Sequence, residues 1–155
     1  MKSVGTDLQR IQIIKGWVDS DGATHEKVFD IAGDADNGAT VDPDTCARLG
    51  SGLQRSCTVW SDPGFDTNQD AFYYVRILEN PSCRWSTLQC QAAGVNPFSR
   101  QCSSQASAAT ALAQDRGASG DVFSKCCMDA ETQPFYSPVI QERAWSSPIW
   151  FEGEG

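Results

Sequence analysis

The chain has 155 residues, enough for one domain with its own core and too few for two ordinary ones. Its formal charge of -8 and pI near 4.5 leave no surplus of Lys and Arg to meet phosphate backbones or anionic lipid, so neither nucleic acid nor a membrane surface is expected as a partner. No apolar run approaches the roughly 20 residues that cross a bilayer, and the opening MKSVGTDLQR lacks the apolar core of a signal peptide.

RIQIIKGWVD and THEKVFDIA are rich in Ile, Val, Trp and Phe and flank SDGA, where Gly22 can supply a positive φ. This pattern predicts a β-hairpin over 10–32. The adjacent Ile13 and Ile14 break strict alternation, which calls for a bulge or a strand buried on both faces. Residues 33–55, dense in Gly, Asp and Pro, read as a long loop, of the kind that is functional or tethered.

Strands are expected over 56–79. SCTVWSD is read as a short one, and AFYYVRILE (71–79), apolar on both alternating faces, as a central one. Asn80-Pro81 ends it, because proline has no amide hydrogen for a ladder. Residues 83–130 form a cysteine-rich excursion in which SAATALAQ and DVFSKCCMDA favour one or two short helices. Composition returns to strand over 138–151, with Pro148 limiting its length. The expected fold is mainly β: an antiparallel sheet or incomplete β-sandwich with short helices in a disulfide-rich excursion.

Seven cysteines, Cys46, Cys57, Cys83, Cys90, Cys102, Cys126 and Cys127, permit at most three internal bridges. Proximity favours Cys46 with Cys57, leaving five to staple the segment between Cys83 and Cys127. The neighbours Cys126 and Cys127 seldom bridge to each other, so each pairs elsewhere or one stays free. Such usage belongs to an oxidising compartment, periplasmic or extracellular. Zinc is disfavoured, because paired C-x₂₋₄-C units do not occur.

His25 is the only histidine. It lies on an exposed strand position without the partners that a triad or zinc hydrolase needs, which speaks against His-based catalysis. Asp66, Asn68 and Asp70 in DTNQD resemble the start of a calcium loop. Ala71 and Ile77 stand where an EF-hand requires Gly and Glu, so an ordinary Asx turn is the plainer account. Arg84 with Trp85, and Glu142 and Arg143 with Trp145, pair charge with tryptophan at strand ends and could wall a cleft. Pairing of the arginines with Glu79 and Glu142 above core tryptophans is the structural alternative.

LQRIQIIKGWVDSDGATHEKVFDIAGD, VWSDPGFDTNQDAFYYVRILENPSCRWS and IQERAWSSPIWF together resemble the C-terminal region of a bacterial family, the domain of unknown function 3604. The resemblance spans about Leu8 to Phe151 and implies a terminal portion of a longer, exported protein similar to metallohydrolases of the polymerase-and-histidinol-phosphatase type. The His-rich metal motif of that type has no counterpart here, so no catalytic residue carries over. The expected role is therefore non-catalytic, with no cofactor within the chain and a divalent metal only in a longer protein. The expected partners are the upstream part of the same polypeptide and, through exposed strand edges, further copies of the chain. A free-standing glycan- or ligand-binding module, calcium-dependent or not, is the competing expectation.

Overall fold

The computed structural model describes residues 5–129, 133 and 135–154. They fall into two compact units: Met1–Ala39, Gly50–Asn80 and Gln141–Gly155 form a sheet unit, and Thr40–Leu49 and Pro81–Ile140 form a helical unit.

In the sheet unit, β1 (Leu8–Val18) and β2 (Thr24–Gly33) make the expected hairpin, with Gly22 at φ 79 in the turn. The irregularity lies at Ile11/Gln12, where Ile11 pairs with Ala32 and Gln12 with Asp30, so Ile31 is the extra residue. Strand β5 (Ala71–Glu79) pairs antiparallel with β1 over nearly its whole length. Its other edge carries β8 (Arg143–Trp145) against Arg76–Leu78 and β9 (Ile149–Phe151) against Ala71–Tyr73. The final strand is thus broken. Pro148 has no amide hydrogen for the ladder, and at the break the Ser146 hydroxyl accepts the Val75 N–H while the Ser146 N–H donates to the Val75 carbonyl.

Two expectations need correcting in this unit. Residues 56–62 form no strand; Trp60 and Asp62 anchor the stretch to the sheet instead. Strand β5 is central, as its composition predicts, but most of its residues are only half-buried, because one face of the sheet carries exposed aromatic side chains.

Pleat and register sort the two faces. One carries Lys15, Phe29 and Tyr73, and the segment after Cys57 folds over it. The Trp60 ring lies 4.9 Å from Phe29 and 6.4 Å from Tyr73, and Phe65 meets Phe151 edge-on at 4.8 Å. The opposite face carries Ile14, Gly16, Phe72, Tyr74, Trp145 and Trp150.

In the helical unit, β3 (Thr40–Val41) and β4 (Arg48–Leu49) form a minimal ribbon within the expected loop, and β6 (Ser82–Cys83) pairs with β7 (Val139–Ile140). Helices α1 (Trp85–Ala92) and α2 (Cys102–Asp115) are followed by one 3-10 turn, Ser124–Cys127, which is all the helix that DVFSKCCMDA shows among its described residues. The core is small: Cys90, Val95, Cys102, Ala106, Ala109 and Cys126, with Phe123 and Cys127 packed against it. Alanine and cystine bury little apolar area, so covalent links must do much of the holding.

Those links are Cys46–Cys83, Cys90–Cys126 and Cys102–Cys127, and Cys57 is free and exposed. The proximity argument for Cys46 with Cys57 fails, because folding brings the β3–β4 turn to β6. Cys126 and Cys127 each pair elsewhere, one to each helix.

Candidate functional site

The most tightly organised polar group in the sheet unit is one the sequence reading passed over. Lys15 sits in the middle of an apolar strand run, and its Nζ donates to Asp62 Oδ2 at 2.6 Å and to the Gly64 carbonyl at 2.9 Å. The Tyr73 hydroxyl donates to the same carboxylate oxygen at 2.8 Å, and the Gly64 N–H donates to Asp62 Oδ1 at 2.9 Å. The ammonium also lies 5.2 Å from the Trp17 ring centre and 5.7 Å from that of Tyr73. Both charged side chains are 5% exposed.

Burial alone would push the Asp62 carboxyl up, but the bonds from Lys15, Gly64 and Tyr73 outweigh it and hold it below the ordinary value. Burial alone would lower Lys15, yet its bonds to Asp62 and Tyr73 hold it above its ordinary value. Burial, reinforced by Asp62, raises Tyr73. A cation and a phenol that both hold their protons offer no base at neutral pH. The group is a pin that fastens the segment after Cys57 to the sheet. The one legible signal was the lysine interrupting IQIIKGW.

His25 stacks on Trp17 at 5.1 Å, and its Nε2 lies 2.6 Å from Asp19 Oδ2. The Asp19 carboxylate also accepts the Asp21 and Ala23 amides, so the histidine belongs to the turn of the hairpin.

Asp66, Asn68 and Asp70 line an open concavity of about 610 Å³ with Asp19 and Ser20. The Asp66 carboxylate accepts the Asn68 backbone and side-chain N–H groups at 2.9 and 3.3 Å, and Asp70 accepts the Gly153 N–H at 2.8 Å. A local turn thus already engages Asp66, and a long-range bond to the C-terminal segment engages Asp70.

Arg84 and Trp85 lie in the helical unit, and Glu142, Arg143 and Trp145 in the sheet unit. Arg84 precedes α1; its Nε donates to the Ser137 carbonyl at 3.0 Å and its backbone N–H to that of Pro138. With Trp85, Phe123, Lys125, Met128 and Tyr136 it lines a hollow of about 520 Å³. Burial raises the Tyr136 hydroxyl, with the Arg84 charge pulling the other way. In the sheet unit the Glu142 carbonyl accepts the Glu79 N–H, and Arg143 and Trp145 stand opposite Leu78 and Arg76. Glu79 bonds to Thr6 through its carboxylate, and neither Arg84 nor Arg143 is ion-paired to Glu79 or Glu142 among the described residues. The tryptophans are not core: Trp85 is 69% exposed and Trp145 59%.

Among the described residues, no group of three His, Cys, Asp or Glu side chains converges as a metal centre would require. No helix among them is long and apolar enough to cross a membrane. Three disulfides suit an oxidising, extracellular or periplasmic setting.

Together these features define a mainly β protein with a disulfide-stapled helical unit. The family model described as protein of unknown function (DUF3604) matches residues 2–123, and the chain belongs to that family. The match takes in the hairpin, β5 and both helices, and ends before IQERAWSSPIWF. Comparison with curated proteins and with solved structures found no match.

Proposed function

We propose that this chain is a non-catalytic supporting portion of a larger, exported, metallohydrolase-like protein, and that it joins the catalytic part through the open face of its sheet. The observation that carries this reading is the run of large apolar side chains left in water on that face: Trp145, Trp150, Val18 and Val28. Large apolar side chains exposed on one face of a sheet mark a surface that a partner can cover. Covering one tryptophan removes on the order of 150 Å² of apolar surface, worth about 3–4 kcal/mol. The outer edge of β2, ten residues long and without a ladder partner among the described residues, points the same way. A free-standing module would be expected to close its core, so the same exposure weighs against that reading. On this account Arg143 and Trp145 belong to the docking face, and Arg84 and Trp85 present a second surface from the helical unit.

Oxidative footprinting tests the reading. Trp145 and Trp150 should be strongly labelled in the isolated chain and protected in the longer polypeptide, while equal labelling in both refutes docking. The isolated chain should also show no phosphatase or esterase turnover with added Zn²⁺, Mn²⁺ or Mg²⁺. Turnover that co-varies with the purified chain refutes the non-catalytic assignment.

A further inference from the structure

The sheet unit also contains a groove of about 660 Å³, bounded by β1, β2, β5 and β9 and open along one side. Its floor exists because position 16 is glycine. Gly16 stands opposite Phe72 in the β1–β5 register, and the phenyl ring lies across the strand where a side chain would be; a Cβ on Gly16 would overlap it. Trp150, opposite Phe72 on β9, forms one wall with ring centres 5.2 Å apart. It is 71% exposed, so part of its ring remains open to solvent. Val18 and Thr24 form the other wall.

Three carboxylates, Glu26, Asp70 and Glu152, line this groove, together with His25, whose Nε2 lies 2.6 Å from Asp19 Oδ2. Glu26, opposite Gly16 on β2, and Glu152, just beyond β9, have no side-chain hydrogen bond or ion pair among the described residues; Asp70 accepts the Gly153 N–H. No Lys or Arg lines the groove. The alternation of the strands explains this, because it sends Lys15 and Lys27 to the opposite face, where they lie over Trp17 and Phe29. An aromatic ring beside unpaired carboxylates attracts a cation twice over, through the ring quadrupole and through charge. The open side and the apolar walls favour a ligand that brings its own apolar flanks, since a free amine there would stay largely hydrated.

We propose that this groove seats a polypeptide segment presenting an Arg or Lys side chain, with the cation against Trp150 and facing Glu26 and Glu152. The proposal deepens the docking reading by naming the chemistry of the partner, and it rests on that reading for the existence of a polypeptide partner.

The test is an NMR titration of the ¹⁵N-labelled chain. The indole Nε1–H of Trp150 is assigned with Trp150→Phe, and the probes are a capped Gly-Leu-Arg-Leu-Gly peptide, its citrulline counterpart and argininamide. A saturable shift of Trp150 with the Arg peptide is expected, weakened about tenfold or more by citrulline, by Trp150→Ala and by Glu26→Gln with Glu152→Gln. The charge-matched pair Asp7→Asn and Asp36→Asn, exposed on the sheet unit and outside the groove lining, should leave it unchanged. Absence of saturation overturns the proposal, as do equal binding of the citrulline peptide and an equal loss in the control pair. Argininamide binding as tightly as the peptide also overturns it, in favour of a small-molecule site. If the titration is silent while Trp145 and Trp150 are protected in the longer polypeptide, this inference falls and the docking reading stands.

Discussion

Replacing Asp62 by Asn changes little in shape and removes the charge that Lys15, Tyr73 and the Gly64 amide all address. Lys15 is then a buried ammonium left with neutral partners. Breaking a buried pair from one side costs about 3–5 kcal/mol, a large share of the roughly 5–15 kcal/mol that holds a typical domain. In a chain of this size it should lower the melting temperature by about 10 °C, read by circular dichroism with the disulfides intact.

The pH dependence follows from the shift directions. The Asp62 carboxyl is depressed in the folded state, so its contribution is full above the unfolded value of 3.8 and is lost as pH falls through the folded value. Lys15 and Tyr73 are raised, so theirs is full below their unfolded values of 10.5 and 10.0 and is lost as pH climbs through the folded ones. Asp62→Asn should flatten the acid limb. Lys15→Met combined with Asp62→Leu should recover most of the loss, because the penalty comes from an orphaned charge and not from an absent bond. A melting temperature within about 2 °C of wild type for Asp62→Asn would refute the pin.

Thiol counting on the oxidised, denatured chain should give one free cysteine, and Cys57→Ser should bring the count to zero with the fold unchanged. Gly16→Ala should destabilise the sheet unit by about 1–3 kcal/mol through overlap with the Phe72 ring, measured by urea denaturation. By NMR titration the Asp19 carboxyl should ionise below its ordinary range, held there first by its bond to His25 and then by the Ala23 amide, and His25→Ala should move it back up. Calorimetric titration with calcium should be silent, since Asp66 and Asp70 already accept backbone N–H groups; a saturable signal lost in Asp66→Ala would reverse that assignment.

The parts legible in the sequence were those where local pattern and tertiary environment agree. THEKVFDIA and AFYYVRILE carry their β-branched and aromatic residues at strand spacing, and Gly22 marks the turn between the first two strands. SCTVWSD misled because Val59 and Trp60 have strand composition, while Asp62 is bound to a lysine on another strand and fixes the segment as a cover. Disulfide partners were illegible for a related reason. Cys46 reaches Cys83 through the path of a loop rich in Gly and Asp, and no local periodicity encodes that path. Of the tryptophans, Trp85 and Trp145 could be singled out from sequence by the arginines beside them, whereas nothing local singles out Trp150. The groove could not, since it depends on which residue of β5 faces Gly16.

The adjacency of Cys126 and Cys127 means that one short stretch of backbone carries the staples of both helices. Replacing both cysteines of that pair releases α1 and α2 together. With so little apolar area in the core of that unit, its folding answers to the redox poise around the chain. Reductant should therefore open the helical unit at a pH where the buried Lys15–Asp62 pair still fastens the sheet, and acid below the ordinary carboxylate value of 3.8 should loosen the sheet while the cystines hold. The two halves of one short polypeptide thus respond to different solvents, and either can be melted as a reference for the other.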